Sequence, residues 1–277
     1  MTDNPEIGER VSANGIGTNY ICQGQGSPLI LIHGSGPGVT AYANWRGVIP
    51  QFAEHFTCYA PDMVGFGYTD CPDEIADFTI DVWVDHIRSF MDALGIERAH
   101  FIGNSYGGAL TLAMATRHPE RVAAIVLMGA AGLPFELTRG LDQVWGYEPS
   151  VEAMRDLMNT FAHDPALVKE EIVRSRYEAS IRPNAQENYS RLFPKPRQEK
   201  LDRLCTEPAA LQAMQHPTLI VHGREDVIVP VEQSYKFNAL IPNSELHVFG
   251  NCGHWTQIEK RERFVELVIP FLNAVKS

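Results

Sequence analysis

The sequence reads as an α/β chain: a mostly parallel sheet, helices on both faces, and a helical insertion. Three observations carry this. Short apolar runs of strand length recur as PLILIHG (28–34), AHFIGNS (99–105), VAAIVLMG (122–129), TLIVHG (218–223) and ELHVFG (245–250). Most of them lack the apolar–polar alternation of a half-exposed strand, so both faces are expected to be covered. Helix-length patterns separate them, which is the rhythm of βα units. The rhythm breaks once, over 133–208, where the pattern turns helical and polar.

In chain order, residues 10–24 predict two short strands around the turn-prone NGIG. The run 28–34 is a buried strand ending in glycine, and a helix is expected over about 44–54. FTCYAPDMVGFGYTD gives a strand and then a glycine-broken loop. Ile80, Trp83, Val84, Ile87, Phe90, Met91 and Leu94 fall at helical spacing, so 79–94 is an amphipathic helix. AHFIGNS is a strand, YGGALTLAMATRHP a helix closed by Pro119, and VAAIVLMG the next buried strand. After the insertion come the strand 218–223, a helix near 231–241, the strand 245–250 and a last helix over about 257–274. The expected division is a core of 1–132 and 209–277 with a helical cap of 133–208. The cap is too poor in apolar residues to fold without leaning on the core.

The chain has 277 residues, 44% hydrophobic and 21% charged, enough for one large domain with a sizeable core. A formal net charge of −11 argues against nucleic acid and anionic membrane as partners. An anionic small molecule would need a local cation to hold it. No stretch approaches the ~18–20 apolar residues of a membrane span. MTDNPEIGER lacks the basic and apolar regions of a secretory leader. The five cysteines are scattered, with no CxxC, which suits free thiols in a cytoplasm and gives no metal-ligand spacing. Metal ligation by these cysteines is not expected.

The chemistry is written in GNSYG. A G-x-S-x-G with a strand before it and a helix after it puts a serine on a sharp corner. Gly103 and Gly107 keep that corner clear, and Gly108 lets the helix approach the sheet. Ser105 is thereby lifted to the carboxyl end of the sheet as a candidate nucleophile. The Tyr106 N–H, at the helix start, is aimed where an oxyanion would develop. A serine needs a base, and in this chain order the acid comes next and the histidine last. Asp226 lies on the loop past 218–223, with Glu225 as its competitor. His254 lies on the loop past the last strand. HGSGPG (33–38) follows the first buried strand, and the Ser35 N–H is the expected second oxyanion donor. No Gly-Lys-Ser/Thr follows, so it is not a phosphate loop.

With these residues on the page, the chain resembles the α/β-hydrolases over nearly its full length, and more narrowly the meta-cleavage product hydrolases of aromatic catabolism. The resemblance is carried by HGSGPG with Asn44 and Trp45, APDMVGFG, GNSYGG, GREDVIVP and GNCGHWTQIE. VWGYEPS, SRYEASIRP and FPKPRQ in the cap point to the branch acting on 2-hydroxymuconate semialdehyde and short 6-alkyl relatives. It implies a serine-dependent carbon–carbon hydrolase that cleaves 2-hydroxy-6-oxohexa-2,4-dienoates without a cofactor and commonly associates as a homo-oligomer. It also implies that Arg176 grips the substrate's C1 carboxylate, with Arg182 able to substitute. Asn44 and Asn104 would contact the polar C1–C2 end, and Trp255 would form an apolar wall. Tyr106 departs from the family, where Met or Phe is usual, and leaves the polarity of the pocket open.

Two other readings share the same residues. A generic carboxylesterase would turn over aryl esters well and the dienoate poorly. A non-catalytic ligand-binding member would turn over neither. Dehalogenases and epoxide hydrolases of this fold use a carboxylate nucleophile, and position 105 is serine.

Overall fold

A computed structural model describes residues 4–275, so the first three residues of the stretch read for a leader lie outside it. Eight strands form one sheet: β1 (Glu9–Ala13), β2 (Ile16–Gln23), β3 (Ser27–Ile32), β4 (Phe56–Pro61), β5 (Ala99–Asn104), β6 (Val122–Met128), β7 (Thr218–Gly223) and β8 (Ser244–Phe249). Their order across the sheet is β1-β2-β4-β3-β5-β6-β7-β8. β1–β2 and β2–β4 pair antiparallel, and every pair from β4–β3 to β7–β8 is parallel.

The pleat explains the unbroken apolar runs. In β3, Ile30 and Ile32 pack into one helical layer with Trp83, Ile87 and Leu110, while Leu29 and Leu31 pack into the other with Trp45, Phe52 and Phe264. Both faces are dry, so each position of the run must be apolar. Each fully buried Leu or Ile contributes about 1.5–3 kcal/mol. The helix Ile80–Ala93 turns its predicted stripe onto the first layer and ends before Gly95, which takes φ +68°.

Two helices expected to be continuous are not. Residues 44–54 give two short helices, Ala41–Trp45 and Ile49–Phe52, because Gly47 and Pro50 interrupt the run. The last helix divides at Lys260 into Thr256–Glu259 and Arg261–Asn273. Between β6 and β7 the regular elements of the described residues are all helices, from Arg139–Trp145 to Pro208–Ala213. Its Leu141, Val144, Met154 and Leu192 belong to the same buried cluster as Trp83 and Phe101. The insertion therefore shares the core's hydrophobic interior. Among the described residues no helix is long and apolar enough to cross a membrane.

Three further histidines are buried: His33 where the loop after β3 begins, His86 in the helix Ile80–Ala93 and His100 in β5. Burial lowers His33 and His100 to about 4 and His86 to about 3. His33 accepts the Met63 N–H at 3.0 Å, which a protonated ring could not do. These folded values lie below the unfolded value near 6.5. The stability of the neutral rings is therefore complete above pH 6.5 and is lost as pH falls toward 4. Asp62, raised by burial to about 6, acts in the opposite sense, but it is one carboxyl against three imidazoles. The melting temperature is expected to fall steadily from pH 7 to pH 4.5 in scanning calorimetry. A flat profile would contradict it.

Candidate active site

Ser105 sits between β5 and the helix Tyr106–Arg117 with φ 57° and ψ −117°, a conformation that costs a non-glycine residue about 1–3 kcal/mol. The surroundings enforce it. The Ser105 N–H donates to the Met128 carbonyl at 2.8 Å, and its carbonyl accepts Ala131 N–H at 3.1 Å. A Cβ on Gly103 would stand 2.3 Å from the Gly107 carbonyl oxygen, and one on Gly107 would stand 2.5 Å from that of Ile32. Neither position tolerates a side chain without moving backbone.

β7 and β8 deliver the acid and the base. His254 Nδ1 lies 2.7 Å from Asp226 Oδ2. The imidazole proton shared with the carboxylate is on Nδ1, so Nε2 carries the free lone pair. Asp226 Oδ1 accepts the N–H groups of Ile228 and Val229 at 2.8 and 3.0 Å. Burial alone would raise this carboxyl. The charge of His254, its hydrogen bond and the nearby His222 ring outweigh it and hold the group well below the usual carboxylate range. Glu225 does not compete: it accepts the Cys252 N–H at 2.9 Å and pairs with Arg224.

His254 is also fastened from the insertion. Its N–H donates to the Phe161 carbonyl at 2.8 Å, and the Phe161 ring lies over the imidazole at 5.7 Å. Ser35 is held the same way. Trp145 Nε1 donates to Ser35 Oγ at 2.9 Å, and the Tyr189 hydroxyl donates to the Ser35 carbonyl at 2.9 Å. Trp145 and Tyr189 were not legible as site residues, since these contacts span 110 and 154 positions. Tyr106 opens its helix, so its N–H has no acceptor within the helix.

Ser105, His254, Ser35, Asn44, Asn104 and Trp255 line one cavity of about 360 Å³ between the sheet's carboxyl end and the insertion. Val144, Met158 and Ile228 contribute to its apolar walls. Asn44 Oδ1 accepts the Gly34 N–H at 3.2 Å and Asn104 Nδ2 at 3.4 Å. Asn44 Nδ2 and Asn104 Oδ1 are buried with no partner. Trp255 stacks on Phe161, centroids 5.0 Å apart.

The two arginines separate. Arg176 lines this cavity, but its guanidinium holds the Glu6 carboxylate. Arg182 lines a second cavity of about 190 Å³, with its guanidinium over the Tyr68 ring at 4.0 Å. Its Nη1 lies 3.9 Å from the same Glu6. The Tyr106 side chain leaves the pocket's polarity unchanged. It is buried against Trp83, 4.9 Å between centroids, with Phe66 and Phe193 beyond. Among the described residues no group of three His, Cys, Asp or Glu is placed to hold a metal ion.

A serine and an imidazole lining one largely apolar cavity, with a buried carboxylate bonded to that imidazole, are the parts of covalent acyl transfer. The chain's similarities agree with that geometry. The alpha/beta hydrolase fold family model matches residues 27–261. The chain is 52% identical over 270 residues to a 2-hydroxymuconate semialdehyde hydrolase of Pseudomonas sp. (strain CF600), covering 98% of this chain and 95% of the relative. It is also 52% identical over 271 residues to a 2-hydroxy-6-oxo-2,4-heptadienoate hydrolase of Pseudomonas putida, covering 98% of each. A solved structure of the meta-cleavage product hydrolase from Pseudomonas fluorescens IP01, a variant complexed with acetates, superposes with a TM-score of 0.96 at 53% identity. It covers 98% of this chain and 99% of that one. The chain belongs to the alpha/beta hydrolase fold family and, within it, to the meta-cleavage product hydrolases.

Proposed function

We propose that this protein hydrolyses the C5–C6 bond of a 2-hydroxy-6-oxohexa-2,4-dienoate whose C6 carries hydrogen or a short alkyl group. The observation that carries it is that Ser105 and His254 line one largely apolar cavity, with the Asp226 carboxylate bonded to the His254 ring. The substrate first passes from enol to ketone, a proton moving from the 2-hydroxyl oxygen to C5. His254 Nε2 takes the Ser105 proton as Oγ adds to the C6 carbonyl. The Ser35 and Tyr106 N–H groups receive the C6 oxyanion. The C5–C6 bond breaks, its electron pair passes into the conjugated C2 ketone, and the proton on His254 returns to the departing fragment. Water, activated by His254, then releases C6 as a small carboxylic acid and restores Ser105. The products are 2-hydroxypenta-2,4-dienoate and that acid, with one water consumed.

Residues 133–208 serve as a cap over the core of 1–132 and 209–277. The bonds from Trp145 and Tyr189 to Ser35, and from His254 to Phe161, support this, since they couple the insertion to the reacting centre. Trp145→Phe keeps the ring but deletes the donor to Ser35. It is expected to lower kcat about threefold to tenfold, the effect of one lost hydrogen bond, with KM little changed. Steady-state rates on the dienoate check this.

The C1 carboxylate is held by a cap arginine, with Asn44 and Asn104 at the C1–C2 end and Trp255 as a wall. Arg176 is favoured because it lines the cavity, and the substrate carboxylate then takes the place of Glu6. Arg176→Gln is expected to raise KM for the dienoate about tenfold to a hundredfold, the worth of a charge-assisted bond. An uncharged aryl ester should be unaffected. If Arg182→Gln raises it instead, the carboxylate lies toward the second cavity.

The function is tested by ring-cleaving catechol and 3-methylcatechol and comparing kcat/KM on the two dienoates with that on an aryl ester. A dienoate preference supports the assignment, and the ratio of the two identifies the C6 substituent. The reverse preference leaves a carboxylesterase. Five thiols without a disulfide support a cytoplasmic site of action. Association into a homo-oligomer is carried over from the family, and light scattering of the purified chain decides it.

A further inference from the structure

We propose that His222 is a positioning residue: its ring N–H edge, held 3.2 Å from the carboxylate of Asp226, sets how strongly that carboxylate acts on His254. The proposal rests on the assignment of Asp226 and His254 above and extends it to a residue that does not touch the cavity.

His222 is the penultimate residue of β7 and is fully buried. Its Nε2 lies 2.9 Å from the Val229 carbonyl oxygen and 3.2 Å from Asp226 Oδ2. A carbonyl only accepts, so the ring proton is on Nε2 and is bonded to the Val229 carbonyl, with the carboxylate oxygen lying close beside it. Nδ1 lies 2.6 Å from Ser234 Oγ and, in the neutral ring, accepts from that hydroxyl. Ser234 is itself fully buried. The tautomer is thus fixed from both sides of the ring.

The carboxylate's arrangement follows. Oδ1 receives two main-chain N–H groups, and Oδ2 receives His254 Nδ1. Three donors bond the carboxylate, and the positive edge of the His222 ring lies 3.2 Å from Oδ2. A ring that only filled space would be better replaced here by an apolar side chain, since burying a polar group costs free energy unless it is bonded. His222 has its bonds, to Ser234 and Val229, and they hold its N–H edge against the group that orients the base.

The expected effect has a definite sign. The His222 N–H draws negative charge from the oxygen that His254 uses. Without it, Oδ2 stabilises the imidazolium of His254 more strongly, and the acid limb of kcat/KM moves to higher pH. The titratable groups acting on Asp226 are His254 and His222. His254 shares the cavity with Ser105 and with the cations Arg46, Lys169, Arg176 and Arg261, which stay the same in every variant.

The test uses the full chain with three substitutions. His222→Met removes the donor at similar length. His222→Gln keeps an N–H at about the same reach. Ser234→Ala deletes only the hydroxyl that fixes the tautomer. For each, kcat/KM is measured from pH 5 to pH 9 on the dienoate and on an aryl ester. His222→Met is expected to raise the acid limb by about half a unit to one unit. His222→Gln is expected to restore the wild-type limb, and Ser234→Ala to shift it in the same direction by less. A packing role would change the melting temperature without moving the limb. Limbs that coincide with wild type in His222→Met and Ser234→Ala overturn the proposal, as does a shift in His222→Met that His222→Gln fails to reverse. Should His222→Met not fold, Ser234→Ala decides alone. Loss of dienoate turnover in the wild type would sink the substrate assignment and leave the ester profiles to judge His222.

Discussion

Ser105→Ala is expected to lower kcat on the dienoate by about 10⁵–10⁶-fold, the loss seen when a triad nucleophile is removed. The size follows from the absence of a substitute. The other serine hydroxyl lining the cavity, Ser35, already accepts Trp145 Nε1 and has no base beside it. The variant should fold at least as well as wild type, because alanine carries no hydroxyl to bury in a strained corner. It should still bind the dienoate, since the asparagines and the cap arginine remain. Rapid mixing with excess variant separates the two effects: the bound dienoate's spectrum should persist without decay. A residual rate within a hundredfold of wild type would mean that Ser105 is not the nucleophile.

Asp226→Asn comes next in size, with about a 10⁴-fold loss in kcat. The reason lies in where an amide could point. The Ile228 and Val229 N–H groups face Oδ1, so an NH₂ cannot sit there. It must take the place of Oδ2, where it meets the donors of His254 and His222. His254 is then driven to the tautomer with its proton on Nε2, and the lone pair that Ser105 needs is gone. Glu225→Gln is the control. Its carboxylate binds the Cys252 N–H and Arg224, so activity should stay within about twofold to threefold. Because Asp226 is held well below the usual carboxylate range, it stays ionised through mild acid. The acid limb of the wild-type profile should therefore report His254, and should be absent from the profile of a mutant lacking that imidazole.

Much of this site was readable because its geometry is local. The strained serine corner is a five-residue problem, and GNSYG states its solution. The buried strands announce themselves because both of their faces are dry. Asp226 and His254 could be singled out because each follows a strand whose end must open onto the same edge of the sheet. Helix ends were less legible where propensity and packing disagree. Gly47 and Pro50 divide a run whose apolar residues, Trp45 and Phe52, still reach one core layer. The contacts that hold the site from above were not readable at all. Trp145 to Ser35, Phe161 to His254 and Glu6 to Arg176 join residues far apart in the chain. Tyr106 shows the converse: adjacency to the nucleophile suggested a pocket residue, whereas the helix turns its side chain into the core.

Arg176 marks where sequence and structure pull apart most. Its place in SRYE implies a carboxylate anchor, and it finds a carboxylate, but one belonging to the chain itself. An acidic protein that takes an anionic substrate has to exclude its own acids from the anchor when substrate arrives. The paired substitutions at Arg176 and Arg182 address that directly.

The central claim is carbon–carbon bond hydrolysis through Ser105, and product analysis tests it most directly. The dienoate made from 3-methylcatechol would be incubated with wild-type protein until its yellow colour is gone, and the mixture resolved by mass spectrometry. The account predicts equimolar acetate and 2-hydroxypenta-2,4-dienoate, with neither product formed by Ser105→Ala. A dienoate left intact by protein that still hydrolyses an aryl ester would contradict it.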